Sequence, residues 1–304
     1  MPLSAGIHLS HPTGSDEEAV LVLVLLTACQ VADTGRSDRE LADVQEEWQQ
    51  EGLDLSRDAW IALDAGGDAI GYAIVFDGQA EISVHPRARG RGLGAQLLEL
   101  VEARAAETGT TSLLQVVPAG NRPAERMLER SGYAAVHHTW RMERPLDVAP
   151  TAPRWPSGVA PHTFRDGDGD AAEVLALLER SAAEDPDGSL LALDVFHDEH
   201  LSHDLLDPEL CVLAHRRDRL VGAAICETWD ETDGSIVQLV VEPAERGKGI
   251  GRALLLAAFA RLREHGIGTA VLRVGSRDAQ APKLVEAAGM RPVWRQTSWV
   301  KQLA

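Results

Sequence analysis

The sequence predicts an α/β (α+β) protein of two tandem domains, each a mixed, mostly antiparallel sheet flanked by helices. Three observations carry this. At 304 residues the chain is about twice the length of a common domain. The segment Val84-His85-Pro86-Arg87-Ala88-Arg89-Gly90-Arg91-Gly92-Leu93-Gly94 returns as Val241-Glu242-Pro243-Ala244-Glu245-Arg246-Gly247-Lys248-Gly249-Ile250-Gly251. The same offset of 157 residues carries Gly132-Tyr133 onto Gly289-Met290. In each copy, hairpin strands precede an alternation of helix and strand. Upstream, Ile70-Gly71-Tyr72-Ala73-Ile74 matches Val221-Gly222-Ala223-Ala224-Ile225 at an offset of 151, which puts the second copy's extra residues within Glu227 to Gly234. The copies are bounded as 1–144 and 160–304. The linker, 145–159, lies in a stretch with five prolines from Arg144 to Pro161, and reads as an extended, strapped connector.

The elements follow in order. Asp16-Glu17-Glu18 place negative charge at the start of a helix running to Cys29. Asp166, Asp168 and Asp170 do the same for Ala171 to Ser181. Strands are expected at Trp60–Leu63, Ile70–Phe76 and Ala80–Val84, then at Cys211–Ala214, Val221–Cys226 and Ile236–Val241. Turns at Ala65-Gly66-Gly67-Asp68 and Arg216-Arg217-Asp218-Arg219 join two of these pairs as hairpins. Amphipathic helices over Gly94–Thr108 and Gly251–His265 follow the glycine segments, then strands Ser112–Val117 and Thr269–Val274, a short helix and a last strand.

Composition narrows the function. A 44% hydrophobic content fills a core in each half. The net charge of −18 argues against duplex nucleic acid or an anionic membrane as partner. The longest apolar stretch, Ala19 to Cys29, is far shorter than the ~20 residues of a membrane span. No basic leader precedes it, and the three scattered cysteines (Cys29, Cys211, Cys226) read as buried free thiols. The expectation is a cytoplasmic protein, monomeric or homodimeric.

A strand ending in Val-x-Pro, then Arg-Gly-x-Gly, then a helix is a phosphate cradle. Glycines let the backbone approach a ligand, and free amides at a helix N-terminus favour an anion. A P-loop needs Ser or Thr after Gly-Lys, which Gly247-Lys248-Gly249 lacks. A Rossmann fingerprint follows the first strand, not the later one seen here. Arg89 and Arg246 either hold their loops or meet the phosphate; the bland alternative is a tight turn, against which the twofold occurrence speaks.

These segments resemble the acyl-CoA loop of the GNAT N-acetyltransferases, and the resemblance covers both halves, roughly 7–144 and 160–304. It implies acetyl-CoA as co-substrate and no metal. The loop amides would bind its pyrophosphate and the preceding strand its pantetheine arm. The residues implied are Ser83, Val84, Arg89, Gly90, Arg91, Gly92, Leu93, Gly94 and Ala95 in the first copy. In the second they are Val240, Val241, Arg246, Gly247, Lys248, Gly249, Ile250, Gly251 and Arg252. Asn121-x-x-Ala124-x-x-Met127 is similar to a further family segment, which adds Asn121. The tandem arrangement and Arg144-Pro145-Leu146 are similar to the mycothiol synthases. The chain departs from the family where a Tyr often protonates the departing thiolate: Leu128 and Val285 stand there. Asp278 replaces the Asn in the second copy, Pro282 is expected to interrupt its short helix, and Ser235 stands where mycothiol synthases carry an acid.

The implied chemistry is attack of a neutral amine on a thioester carbonyl. Glu81, on the strand entering the first loop, is the expected general base; the alternative is a strand-surface carboxylate. Gln238 holds the matching place in the second copy. Glu227, with Asp230 and Glu231, is a base candidate in a mobile acidic loop of that copy, and His137 and His138 are possible assistants. Nine acids and three arginines lie between Asp33 and Asp58, and nine acids with no base between Glu184 and Glu209. Such rims attract a small cationic amine, or are solvated helix faces. Two patterns carry no metal: Asp166-Gly167-Asp168-Gly169-Asp170 has Ala171 and Leu177 where a calcium loop needs Gly and Glu, and His197, His200 and His203 lack further ligands. The expected function is acetyl transfer to a small cationic amine. The alternatives are the mycothiol synthase reaction and a non-catalytic acyl-CoA-binding or sensor protein.

Overall fold

A computed structural model describes residues 6–37, 39–165, 169–182, 206–228, 232–275 and 281–303. The chain divides into two compact units, Met1–His138 with Trp294–Ala304, and Thr139–Val293.

Unit 1 begins with β1 (His8–Ser10), α1 (Asp16–Thr34), α2 (Leu41–Trp48) and the single turn α3 (Leu55–Asp58). Then come β2 (Ala59–Leu63), β3 (Ala69–Phe76), β4 (Gln79–Val84), α4 (Leu93–Glu107), β5 (Ser112–Pro118) and α5 (Arg122–Arg130). Strands β1 to β4 are antiparallel neighbours in sequence order, and β4 pairs with β5 in parallel. Beyond β5 lies the C-terminal part of β12 (Arg291–Gln302), with Gln296 opposite Pro118 and Gln302 opposite Ser112. Ser15 caps α1 and Gly35 ends it, while the acids of the first turn meet the helix dipole as expected.

Unit 2 repeats the plan. The later part of β6 (Ala134–Pro145) is followed by β7 (Val159–Thr163), α6 (Asp170–Ala182), β8 (Val212–Arg216), β9 (Arg219–Thr228) and β10 (Asp233–Val241). Helix α7 (Ile250–Glu264), β11 (Thr269–Gly275) and α8 (Ala281–Ala287) complete it. The sheet runs antiparallel from β7 to β10, with a parallel β10–β11 pair. Seven residues of β6, Thr139 to Pro145, lie antiparallel to β11.

The units therefore differ from the two sequence halves. Each is completed by a strand from the other half of the chain: 294–302 in unit 1 and 139–145 in unit 2. Hydrophobic alternation marks a strand without saying which sheet receives it. Trp299 belongs to unit 1's core, Met142 to that of unit 2. The connector is anchored at its start. Leu146 is buried, with its N–H on the Gly268 carbonyl and its own carbonyl receiving Arg263 Nε at 3.1 Å.

Gly71 and Gly222, matched by the repeat, show why the match exists. A Cβ on Gly71 would sit 3.0 Å from Leu93 of α4, and one on Gly222 2.9 Å from Leu254 of α7. In both units the helix after the glycine segment lies directly on the strand at a glycine.

Candidate active site

In unit 1, β4 and β5 pair only at Gln79–Leu114 and Ala80–Gln115, whereas β4 stays on β3 as far as Val84 opposite Gly71. The two parallel strands thus part at the end leading to the glycine loop. That opening forms a cleft of about 670 Å³. Its walls come from α1, α2, β3, β4, β5 and the start of α5, with Gln296 from the C-terminal strand.

The loop itself is a short 3₁₀ turn, Pro86–Ala88, then Arg89, Gly90 at φ 76° and Gly92 at φ 88°. Gly92 caps α4 with no side chain bonded to the helix end, and the first helical bond joins Gln96 to Gly92. The amides of Leu93, Gly94 and Ala95 therefore lack helical acceptors. A Cβ on Gly90 or Gly92 would meet nothing within 4 Å, so nothing packs over the loop at these two glycines. This donor set fits a diphosphate, and the parted strands beside it suit an extended chain. An acyl thioester carrying a diphosphate, if held there, would supply an activated acyl group.

Arg89 holds the loop. Its Nε donates to the Val84 carbonyl at 2.9 Å, and its two terminal nitrogens grip Asp33 at 2.5 and 2.9 Å. Asn121 donates to the same carboxylate at 3.1 Å while capping α5 through the Ala124 amide. Asp33, near the end of α1, so ties the loop to both helices. Arg91 is exposed, and Ser83 and Val84 end β4. Cys29 donates its thiol to the Val84 carbonyl at 3.3 Å, and burial pushes its pKa up to about 11, which leaves an inert thiol.

Glu81 lies in the cleft, as expected of a reactive carboxylate, but it is engaged. Arg39 donates to its Oε2 at 2.6 Å and Ser83 to its Oε1 at 3.2 Å. A second carboxylate, Glu47 of α2, lines the same space and accepts a hydrogen bond from Tyr72 at 3.1 Å. Burial, then the charge of Glu81, raises Glu47 to a pKa of about 7. Reading the sequence missed both Arg39 and Glu47. Five carboxylates line the cleft (Asp33, Glu47, Glu51, Asp77, Glu81) against Arg39 and Arg89. His137 and His138 lie outside its lining; His138 bonds Thr297 at 3.0 Å.

Unit 2 has the same loop backbone, with Gly247 at φ 75° and Gly249 at 89°. Arg246 Nε reaches the Val241 carbonyl at 3.3 Å and its terminal nitrogen Ser181 at 2.7 Å. Lys248 pairs with Glu245 at 3.2 Å, Arg252 is exposed, and Val240 and Val241 end β10. The amides of Ile250, Gly251 and Arg252 stand before the first helical bond, Ala253 to Gly249. Gln238 faces Ile225 in the register that places Glu81 opposite Ile74, so the two are true counterparts.

Two expectations change. Glu227 is not in a loop: it lies inside β9, 1% exposed, opposite Ser235. The extra residues lengthen the β9–β10 hairpin, so a position read as loop becomes ladder. Pro282 does not interrupt the short helix but stands in the first turn of α8, where a missing N–H costs nothing. Leu128 and Val285, where a Tyr was sought, are 0% and 1% exposed core residues. Asp170 accepts from the Arg165 amide at 2.7 Å, consistent with a cap. Asp166, Asp168, His197, His200, His203, Asp230, Glu231, Asp278 and most of 184–209 lie outside the described residues.

The family description "Acetyltransferase (GNAT) family" matches residues 25–133 and again 173–290. The chain belongs to that family. It is a tandem GNAT protein and an acetyl-CoA-dependent N-acetyltransferase. Among relatives, mycothiol acetyltransferase of Thermobispora bispora is 33% identical over 76% of this chain and 79% of its own. That of Geodermatophilus obscurus is 30% identical over 98% of this chain and 97% of its own. Among solved structures, a GCN5-related N-acetyltransferase from Sphaerobacter thermophilus superposes with a TM-score of 0.84 at 29% identity, covering 99% of this chain and 97% of the other. A tandem GNAT protein of the clavulanic acid biosynthesis pathway shares the fold, with a TM-score of 0.74 at 17% identity over 98% of this chain and 99% of its own. No described helix of this GNAT protein is long and apolar enough to cross a membrane.

Proposed function

We propose that unit 1 transfers the acetyl group of acetyl-CoA to the primary amine of a small cationic acceptor. The observation that carries this is the charge of its cleft, five carboxylates to two arginines, with one arginine already gripped by Asp33. Such a rim concentrates cations and orients an ammonium group toward the parted strands. In this reading Val84 and the amides from Gly90 to Ala95 hold the co-substrate, Arg89 and Asn121 keep that cradle in shape, and Glu81 with Glu47 flanks the amine. The loop of unit 2, from Val241 to Arg252, holds a second acetyl-CoA. Acetyl-CoA as co-substrate supports a cytoplasmic setting.

The test is thiol release from acetyl-CoA with spermidine, lysine, an aminoglycoside and, as anionic control, glutamate. The cationic amines should react at least ten times faster at low salt, and the advantage should shrink as salt screens the cleft. Equal rates for glutamate would remove the cationic acceptor. Acetyl-CoA binding in native mass spectrometry without thiol release from any amine would favour an acyl-CoA sensor. A second reading, the mycothiol acetyltransferase reaction, is favoured by 30% identity across 98% of the chain. Desacetylmycothiol in the same panel decides it: a rate a hundredfold above every other amine would establish that acceptor.

A further inference from the structure

We propose that Glu47, and not Glu81, takes the proton from the acceptor's ammonium group in the unit 1 cleft. This rests on the reading of that cleft as the amine site, and names the residue that performs the proton step.

The argument starts from three side chains in a row. The indole N–H of Trp48 donates to the Tyr72 hydroxyl oxygen at 2.9 Å. An indole nitrogen only donates, so the hydroxyl must spend its own hydrogen elsewhere. That hydrogen goes to Glu47 Oε2, 3.1 Å away. Tyr72 is 0% exposed and Trp48 is buried, so the row is rigid. Glu47 is thereby held at the cleft wall by one neutral donor, while its Oε1 has no hydrogen-bond partner among the described residues. Glu81 is held differently: a guanidinium donates to one of its oxygens and a hydroxyl to the other, so neither oxygen is left without a donor.

The surrounding charges set the proton affinity. Glu81 of β4 and Asp43 of α2 repel a charge on Glu47, and Arg39 attracts it. Tyr72 of β3 also favours the ionised form, and Glu51 and Asp77 complete the titratable lining near this end. Burial dominates and brings the carboxyl to about 7, close to working pH, where a general base is most effective. The step balances as follows. Glu47 carboxylate takes one proton from R–NH₃⁺, and the nitrogen lone pair of R–NH₂ forms the C–N bond. The C–S bond breaks with its electron pair on sulfur. The second nitrogen proton neutralises the thiolate, and Glu47 returns its proton to solvent.

The test is the pH profile of kcat/KM with spermidine at saturating acetyl-CoA, for wild type and for Glu47→Gln, Glu81→Gln and Tyr72→Phe. Acetyl-CoA stoichiometry in native mass spectrometry serves as the folding control, and the carboxyl titration is followed by ¹³C NMR of glutamate-labelled protein. Wild type should lose activity tenfold per pH unit below about 7, in step with one glutamate resonance. Glu47→Gln should lose that resonance, the acid limb and about a hundredfold or more in rate. Glu81→Gln should keep the limb but move it to lower pH, and Tyr72→Phe should move it to higher pH. Retention of the limb in Glu47→Gln, or a rate within threefold of wild type, would overturn the assignment and leave the amine-acetylating reading intact. Failure of wild type with every amine would overturn both.

Discussion

The two glycine loops differ by a degree or two in their φ angles, yet they are held by different partners. In unit 1 the arginine that receives the strand carbonyl is clamped by Asp33, which also takes Asn121; in unit 2 Arg246 meets the Ser181 hydroxyl. The backbone shape follows from residues within the loop: two glycines in the left-handed region and an arginine folded back on the strand carbonyl five residues earlier. The charge around it comes from a helix some 56 residues upstream in unit 1, which was free to change between copies. A loop backbone can therefore be duplicated intact while the side chains beside it diverge, as Glu81 and its counterpart Gln238 have done.

The sharpest way to break this comparison is to disable each loop in turn. Valine at Gly92 is forced into the left-handed region in front of the orphan amides. Gly92→Val should lower kcat/KM for amine acetylation at least a hundredfold, while Gly249→Val stays within threefold of wild type. Native mass spectrometry should show each variant losing one acetyl-CoA. The reverse kinetic pattern would move turnover to unit 2. Next in size is the clamp. Asp33→Ala leaves the largely buried Arg89 without its partner and should cost about 3 kcal/mol in urea unfolding. Ser181→Ala should cost under about 1 kcal/mol. Comparable losses would mean that the two arginines are equally dependent on their helices.

Much of this was legible before any coordinates. The offset of 157 that matched Arg89 to Arg246 located both loops, and the offset of 151 paired Gly71 with Gly222, the glycines on which the two helices lie. The destination of the last strand of each half was hidden, because Thr139–Pro145 and Gln296–Gln302 have the same alternation whichever sheet they enter. Within the site, the acid-rich stretch from Asp33 to Asp58 supplies Asp33, Glu47 and Glu51 to the cleft wall, but its composition did not rank its members. A signal for Glu47 existed: Val44 and Trp48, one helical turn apart, are the buried stripe of α2 and place Glu47 at its inner edge. Arg39 gave no comparable signal, since its role depends on a residue 42 positions away.

The missing tyrosines sharpen the comparison with the wider family. Leu128 and Val285 are packed into the cores of their units, so restoring the side chain places a ring where no space exists. Leu128→Tyr and Val285→Tyr should each destabilise by about 1–3 kcal/mol and raise kcat by less than twofold. A clear gain in kcat for one of them would show that its position opens to the reacting thiol, and would identify the active unit independently of the glycine variants.

The smallest effect tests the carboxylate that distinguishes unit 1. Glu47 has a folded-state pKa of about 7 against an ordinary value of 4.5. The folded protein therefore binds a proton that the unfolded chain has already released between those values. Its contribution is full below pH 4.5 and is lost as pH rises through about 7. Glutamine does not titrate. The melting temperature of Glu47→Gln, measured against wild type, should rise between pH 4.5 and 8 and then level off. Glu81→Gln gives unit 1 the uncharged residue that unit 2 carries at Gln238. It removes a like charge from beside Glu47 and frees Arg39 to pair with it, so both consequences lower the proton affinity of Glu47. In that background the gain on adding Glu47→Gln should shrink, and the pH at which it levels off should move below 7. An unchanged levelling-off pH would mean that burial alone sets the proton affinity of Glu47, and that Glu81 and Gln238 differ without consequence for their neighbours.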